Sequence, residues 1–262
     1  AYKNGWYDDA ISDLQHAADD NRYDFTIHQT LGNIFLFHKY NSKKAIDNYQ
    51  KAVKYSEPYS KKFASFSYIH LGLVYYFIQD YQNAYNSTLK AITLSPDSSL
   101  YYYEHARYCA KLNKKDEAIG SLKKIVYQEP FYCAKINSEP DFSPIKDKIN
   151  GLFEDVFNRF KVISEKRIQE LVHLIKRAKS LGIADENIHP FLELSEKSKN
   201  ENSRSSILDF QKSIVTAENA IQDLLNTMKI GIVSNKTSIS KTKNEISEVI
   251  EVKYSKYRKN FL

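Results

Sequence analysis

Only two of the 262 residues are cysteine, Cys109 and Cys133. Two thiols give no disulfide framework, and the expected compartment is a reducing cytoplasm. Glycine (7) and proline (6) are as scarce, which argues against a sheet protein with many tight turns and favours long helices. No stretch reaches the roughly 18 uninterrupted apolar residues of a membrane span, and the first residues lack a signal-peptide shape. Nor does one sign of charge dominate: residues 1–150 carry 19 basic and 17 acidic groups, residues 151–262 carry 19 and 15. A net charge of +6 spread that evenly lacks the one-sided excess of a nucleic-acid grip. The one basic run, Lys253, Lys256, Arg258 and Lys259 interleaved with Tyr254 and Tyr257, reads as a solvated helix end, with attachment to nucleic acid or a membrane surface as the alternative. With one Met, an initial Ala1 and Gly5-Trp6 close behind, the chain reads as a segment of something longer.

The constellations of catalysis are missing too. None of the seven His (16, 28, 38, 70, 105, 173, 189) pairs with another at a spacing of three or four, so a helical His-His metal site is unsupported. The cysteines form no CxxC motif, and no matching ligands are expected near them; Cys109 is expected in the core. The glycines are scattered singly, leaving no phosphate-cradling loop. Asp8-Asp9 and Asp19-Asp20 suit helix ends and have no evident partner. No catalytic residue, cofactor, metal or small-molecule substrate is expected, and the chain is not read as an enzyme.

What the sequence has in quantity is aromatic mass, 20 Tyr and 14 Phe, and a repeat near 34 residues. The best-formed unit spans Ser65–Ser98, with Leu71-Gly72, Tyr75, Ala84, Ala91 and Pro96. Small residues let two helices approach, Tyr75 fills the space between them, and Pro96 stops the second. Upstream, Leu31-Gly32, Phe35, Ala45, Tyr49, Ala52 and Pro58 match with one extra residue in the turn around Lys39–Ser42. Downstream, Tyr102, Ala106, Ala118, Leu122 and Pro130 match, with Ile125 in place of the second-helix Ala and looser packing expected there. Ala1–Ala17 reads as the end of one helix, its turn and a second helix, the partner helix lying before residue 1.

These residues resemble the tetratricopeptide repeat family over about residues 1–131. The resemblance implies antiparallel helix pairs stacked into a right-handed solenoid whose first helices line a concave groove, a surface used for binding other proteins. The physical basis is general: one hairpin cannot bury its apolar face alone, so neighbours stack. By register, the groove positions are Thr26, Gln29, Asn33, Leu36 and Phe37, then Phe66, Ile69, Leu73, Tyr76 and Phe77, then Leu100, Tyr103, Arg107, Ala110 and Lys111. Members of the family that clamp acidic tails carry Lys, Asn and Arg at the equivalents of Gln29, Asn33, Ile69, Leu73, Tyr103 and Arg107. Only Asn33 and Arg107 suit that task, so an apolar peptide or amphipathic helix is the expected guest. The same stripe also fits a core covered by the chain's own later helices.

From Phe131 the pattern changes. Asn137–Pro144 is a turn-rich joint, with Ser143 as expected N-cap and Pro144 at the first position of a capping helix. Residues 152–181 carry an eleven-residue apolar recurrence, Phe157 to Ile168 and Phe160 to Leu171, on a helix that Gly182 ends. Asn187–Lys199 is expected to be a shorter helix or linker beginning near His189-Pro190, and Ser195–Ser206 a mobile connection. Ile207, Phe210, Ile214, Ala217, Ile221, Leu224 and Met228 form a heptad seam, continued more weakly by Ile232, Ile239, Ile246 and Val249.

The fold expected is therefore all-α: a tetratricopeptide-like helical-hairpin solenoid with a capping helix over residues 1–150, its first repeat truncated, followed over 151–262 by long helices with coiled-coil character. That second region is expected as a helical hairpin or a homodimeric coiled coil through residues 207–250. The function expected is a scaffold holding a partner's peptide or helix at Asn33, Phe37, Phe66, Ile69, Leu73, Tyr76, Phe77, Tyr103 and Arg107. An alternative is a regulatory or sensor module of a larger signalling or defence protein.

Overall fold

The computed structural model describes residues 5–203 and 206–259, and among these every regular element is a helix. The chain divides into two compact units, Ala1–Glu154 and Asp155–Leu262. The boundary falls inside a helix rather than in a loop.

The first unit opens with α1 (Tyr7–Asp20), preceded by the solvent-facing Trp6. Three helical hairpins follow: α2 (Phe25–Phe37) with α3 (Ser42–Ser56), α4 (Lys61–Phe77) with α5 (Tyr81–Leu94), and α6 (Ser99–Lys111) with α7 (Lys115–Gln128). The starts are written locally. Asp24, Asn41, Ser60 and Asp80 cap α2 to α5, their side chains accepting from the backbone N–H of Thr26, Lys44, Phe63 and Asn83, each satisfying a donor the helix leaves free. The stops are as regular: Pro58, Pro96 and Pro130 each follow the last residue of a second helix by two positions.

Within each hairpin the turn contains one residue in the left-handed region, Tyr40, Gln79 and Asn113. The first turn spans one residue more than the other two, and its closing bond runs from Asn41 N–H to Phe35 O, against Asp80 to Tyr75 and Lys114 to Cys109 in its counterparts. The extra residue expected around Lys39–Ser42 is thus accommodated in the turn, and both helices keep their packing register. Gly32 is required by close approach: a Cβ there would lie 2.7 Å from Tyr49 Cε1. Ala45, Tyr49, Ala52, Ala84, Ala91, Ala106, Ala118 and Leu122 are fully buried, and so is Ile125, where looser packing was expected in the third hairpin.

The joint differs from expectation in detail. After α8 (Tyr132–Ser138) comes a 3-10 helix, Pro140–Ile145, capped by the Glu139 carboxylate accepting from Asp141 N–H. Its first residue is Pro140, and Pro144 lies inside it. Ser143 is therefore not a cap. Glu139 has an extended backbone (φ −80°, ψ 116°) and Pro140 supplies the pre-set φ of a first helical position, so the helical turn begins four residues earlier. The long helix α9 (Lys146–Ser180) follows directly.

The second unit contains the rest of α9, α10 (Asp185–Ser203) and α11 (Ile207–Lys259). Leu171, Ile175 and Ala178 of α9, Ile188 and Phe191 of α10, and Ala217, Ala220, Leu224 and Met228 of α11 share one core. The three helices therefore share one core within the chain, one helix more than the expected hairpin. Gly182, at φ +74°, ends α9 as expected. The Ile183 N–H returns to Ala178 O and the Ile183 side chain enters the core, the usual pairing of a left-handed residue with an apolar one after a helix end.

Two expectations fail here. α10 begins at Asp185, and Pro190 sits within it at the cost of one backbone bond near its start. The run Ser195–Ser203 is helical rather than mobile, because its polarity is arranged on a face: Ser195 and Ser198 are buried, and the Ser198 carbonyl accepts from Ser213 Oγ at 2.9 Å. The heptad seam is also rotated. Its buried line is Phe210, Ser213, Ala217, Ala220, Leu224, with Ile214 and Ile221 half-buried on its flank. The side chains of Ile239, Ile246 and Val249, the expected continuation, and those of the basic tail are not among those described.

Candidate functional site

The first helices of the three hairpins, α2, α4 and α6, supply the face on which a guest was expected. An accessible stripe follows helical spacing along α4: Phe63, Phe66, His70, Leu73 and Phe77. Ile69, expected in that stripe, lies one position off and is buried in the core with Leu36. Neighbouring hairpins cover both flanks of an inner first helix, which leaves a narrower strip than the sequence register assigned. Gln29 and Ala110 are buried for the same reason, while Leu100 is exposed.

Two different surfaces result. The first is aromatic. Phe37, Phe66 and Phe77 are 43%, 42% and 58% exposed. His70 joins Phe66 and Phe37, with ring centroids 4.3 Å and 6.2 Å away, and its Nδ1–H donates to Phe66 O at 2.8 Å, which turns the ring edge along the helix. Burial holds the imidazole below its usual pKa, against the opposing effect of that hydrogen bond. Beside these rings Thr26, Thr30, Asn33, Lys62 and Phe63 frame a pocket of about 440 Å³. Asn33 accepts from the Tyr49 hydroxyl at 2.7 Å and is thereby fixed from below.

The second surface is polar and already filled by the chain itself. The segment Glu139–Phe142 lies on α4 and α6. Asp141 Oδ2 accepts from the Tyr76 hydroxyl at 2.8 Å and from Arg107 Nε at 3.0 Å and Nη2 at 2.9 Å. Asp141 Oδ1 pairs with Lys111 Nζ at 2.6 Å. The Tyr103 hydroxyl donates to Glu139 Oε2 at 2.8 Å, and Phe142 sets its ring edge-on to Tyr103 at 5.8 Å. Arg107 also stacks over the Tyr76 ring at 4.6 Å and holds Glu104 at 2.8 Å. Burial alone would raise the Asp141 carboxyl; hydrogen bonds from Lys111 and Tyr76 and the charges of Arg107 and Lys111 outweigh it and hold the group below the usual carboxylate range. Burial and the hydrogen bond to Glu139 push the Tyr103 hydroxyl far up.

Of the residues expected to hold a guest, the structure thus exposes Phe37, Phe66 and Phe77, leaves Asn33 and Leu73 at the edge, places Ile69 in the core, and commits Tyr76, Tyr103 and Arg107 to Glu139 and Asp141. The sequence reading missed His70, Glu104 and the two carboxylates of the joint. Charge complementarity was the available signal: acidic positions 139 and 141 alternate around Pro140, while Arg107 and Lys111 stand one helical turn apart. A further grouping was missed. His105 and Cys109, four residues apart on α6, lie with Glu117 of α7 so that their ligand atoms are all within 4.8 Å of one another, which corrects the expectation that Cys109 has no matching ligands nearby.

No curated protein matches the chain. The crystal structure of MamA, at 18% sequence identity, aligns with 58% of this chain and 88% of its own at a TM-score of 0.49. The family model described as Iml2/Tetratricopeptide repeat protein 39 matches residues 32–196, more than half of the sequence. That span begins within α2, takes in the rest of the three hairpins and continues through the joint into the second unit, and the chain belongs to the Iml2/Tetratricopeptide repeat protein 39 family.

Proposed function

We propose that the chain is a protein-interaction module that holds an apolar peptide or amphipathic helix of a partner protein on the aromatic part of its first-helix face, at Phe37, Phe66 and Phe77 with Asn33 at the edge. The observation that carries this reading is the contrast between the two surfaces. The polar positions are matched by the chain's own carboxylates, whereas the aromatic stripe keeps large apolar rings in water at three- and four-residue spacing. Rings exposed in a row at that spacing suit the i, i+3, i+4, i+7 anchors of an amphipathic helix. Membership in a tetratricopeptide repeat family supports a binding rather than a catalytic role. The cytoplasm remains the proposed compartment; among the described residues no helix is long and apolar enough to cross a membrane.

The test places a photo-crosslinking residue at Phe66 and, as control, at Tyr59, an exposed aromatic outside the stripe. The captured segment is then synthesised as a peptide and titrated. Its affinity is expected to fall on the order of tenfold or more in Phe37→Ala with Phe66→Ala, with far-UV circular dichroism unchanged, and to be unaffected by Tyr59→Ala. Equal capture from both sites, or a peptide indifferent to the stripe, would overturn the reading. A second reading, self-association along α11, is supported by the exposure of Ile230 and Val233 (71% and 64%); sedimentation of Ile230→Lys with Val233→Lys against the native chain tests it.

A further inference from the structure

We infer that His105, Cys109 and Glu117 form a binding site for one divalent transition-metal ion of the zinc type, pinning the α6–α7 hairpin. Imidazole nitrogen, thiolate sulfur and carboxylate oxygen are the donor set of such an ion, and three protein ligands with one remaining position for water is a common zinc arrangement. The spacing is built into the fold. His105 and Cys109 stand one turn apart on one face of α6, and the turn at Leu112–Lys114, set by Asn113 at φ 58° and closed by Lys114 N–H to Cys109 O, brings the first turn of α7 with Glu117 opposite them. Their ligand atoms, all within 4.8 Å of one another, need only a small contraction to surround an ion.

The surrounding groups aim these ligands, and this is an observation independent of their proximity. Thr88 Oγ1 lies 3.0 Å from Tyr85 O and 3.2 Å from Ala84 O, two backbone carbonyls that can take its single hydrogen. With the hydroxyl hydrogen on a carbonyl, Thr88 Oγ1 accepts from His105 Nδ1–H at 2.9 Å, the tautomer that leaves the Nε2 lone pair for an ion. Glu117 is positioned as deliberately: the Tyr85 hydroxyl donates to its Oε2 at 2.7 Å, and the Tyr85 ring lies against the His105 ring, centroids 4.8 Å apart. One hydrogen-bond partner on the non-ligating nitrogen and another on the carboxylate are what orient ligands around a metal. His105 and Cys109 close the site from inside while Glu117 is exposed, so an ion enters and keeps its water on that side. Lys114 Nζ, 3.2 Å from Glu117 Oε1, is the cation an arriving metal displaces.

The experiment uses the full chain, freed of metal with a chelator and titrated with Zn(II) and with Co(II). The expected result is one Zn(II) per chain and, with Co(II), the near-ultraviolet thiolate-to-metal charge-transfer band. Cys109→Ala should abolish the band and Cys133→Ala should leave it. Should Cys109→Ala fail to fold, the surface variant Glu117→Gln carries the test: it should weaken Zn(II) binding on the order of tenfold or more with circular dichroism unchanged. Absence of the band in the native chain, its survival in Cys109→Ala, its loss in Cys133→Ala, or Zn(II) affinity indifferent to Glu117→Gln would each overturn the assignment.

Discussion

Asp141 shows how much one side chain settles on this surface. A lone carboxylate buried on a helix face is costly, yet this one receives four donors, from Tyr76, Arg107 (twice) and Lys111. Asp141→Asn keeps the shape and removes the charge. It is expected to lower stability by about 1.5–3 kcal/mol, the range for a hydrogen bond to a charged group, read as a lower urea midpoint. The pH dependence follows from the depressed carboxyl. Its contribution is complete above the unfolded value near 4 and is lost as pH falls through the lower folded value. Melting temperature should therefore drop more steeply between pH 5 and pH 3 in the native chain than in Asp141→Asn; parallel curves would show that the docking has little to do with the charge. The sequence displays Arg107 and Lys111 openly, but their partners are 34 and 30 residues away across an irregular joint, and only folding of that joint reveals that the positive pair is already matched.

Among the elements, the hairpins were readable from sequence because their signals are local: capping side chains, a proline stop, small residues at close approach, and one left-handed turn residue. The three-helix bundle was readable only in part. Its heptad places Ile214 and Ile221 on the seam because apolar size is the obvious signal, whereas close packing of three helices puts the small residues Ser213 and Ala220 inside and leaves the isoleucines to the flank. The cost of polarity at Ser213 is met by a relay in which Ser164 Oγ donates to Ser213 Oγ and Ser213 Oγ to Ser198 O, both at 2.9 Å. Ser213→Leu, which would put a large apolar side chain on the buried line, is expected to destabilise the bundle by about 1–3 kcal/mol through overpacking, with a further loss from the orphaned Ser164 hydroxyl. A stability equal to or above the native chain, measured by urea unfolding followed by circular dichroism, would show that the buried line does not require a small residue there.

At the scale of the whole molecule, each unit has its own core, centred on Tyr49, Val74 and Ala91 in the first and on Leu171, Ala217 and Leu224 in the second. Stability in such a chain is expressed unit by unit. Hydrogen exchange of Ser213→Leu should accelerate in Leu171–Met228 and leave Leu31–Val74 at native rates; uniform acceleration would mean that the chain unfolds as one. The repeat register assigned the first-helix face, and on α4 a single position separates Ile69 in the core from His70 at the accessible stripe. Neither period nor composition carries that distinction, which comes from how far each neighbouring hairpin overlaps the next.

The solitary Trp6, 61% exposed ahead of α1, has a practical consequence for anyone following these transitions by light. Most of its indole already faces water, so tryptophan fluorescence is expected to change little while both cores melt. The absorbance of Tyr49, Tyr103 and Tyr108, whose rings leave a fully enclosed environment, will report the loss of the first unit instead.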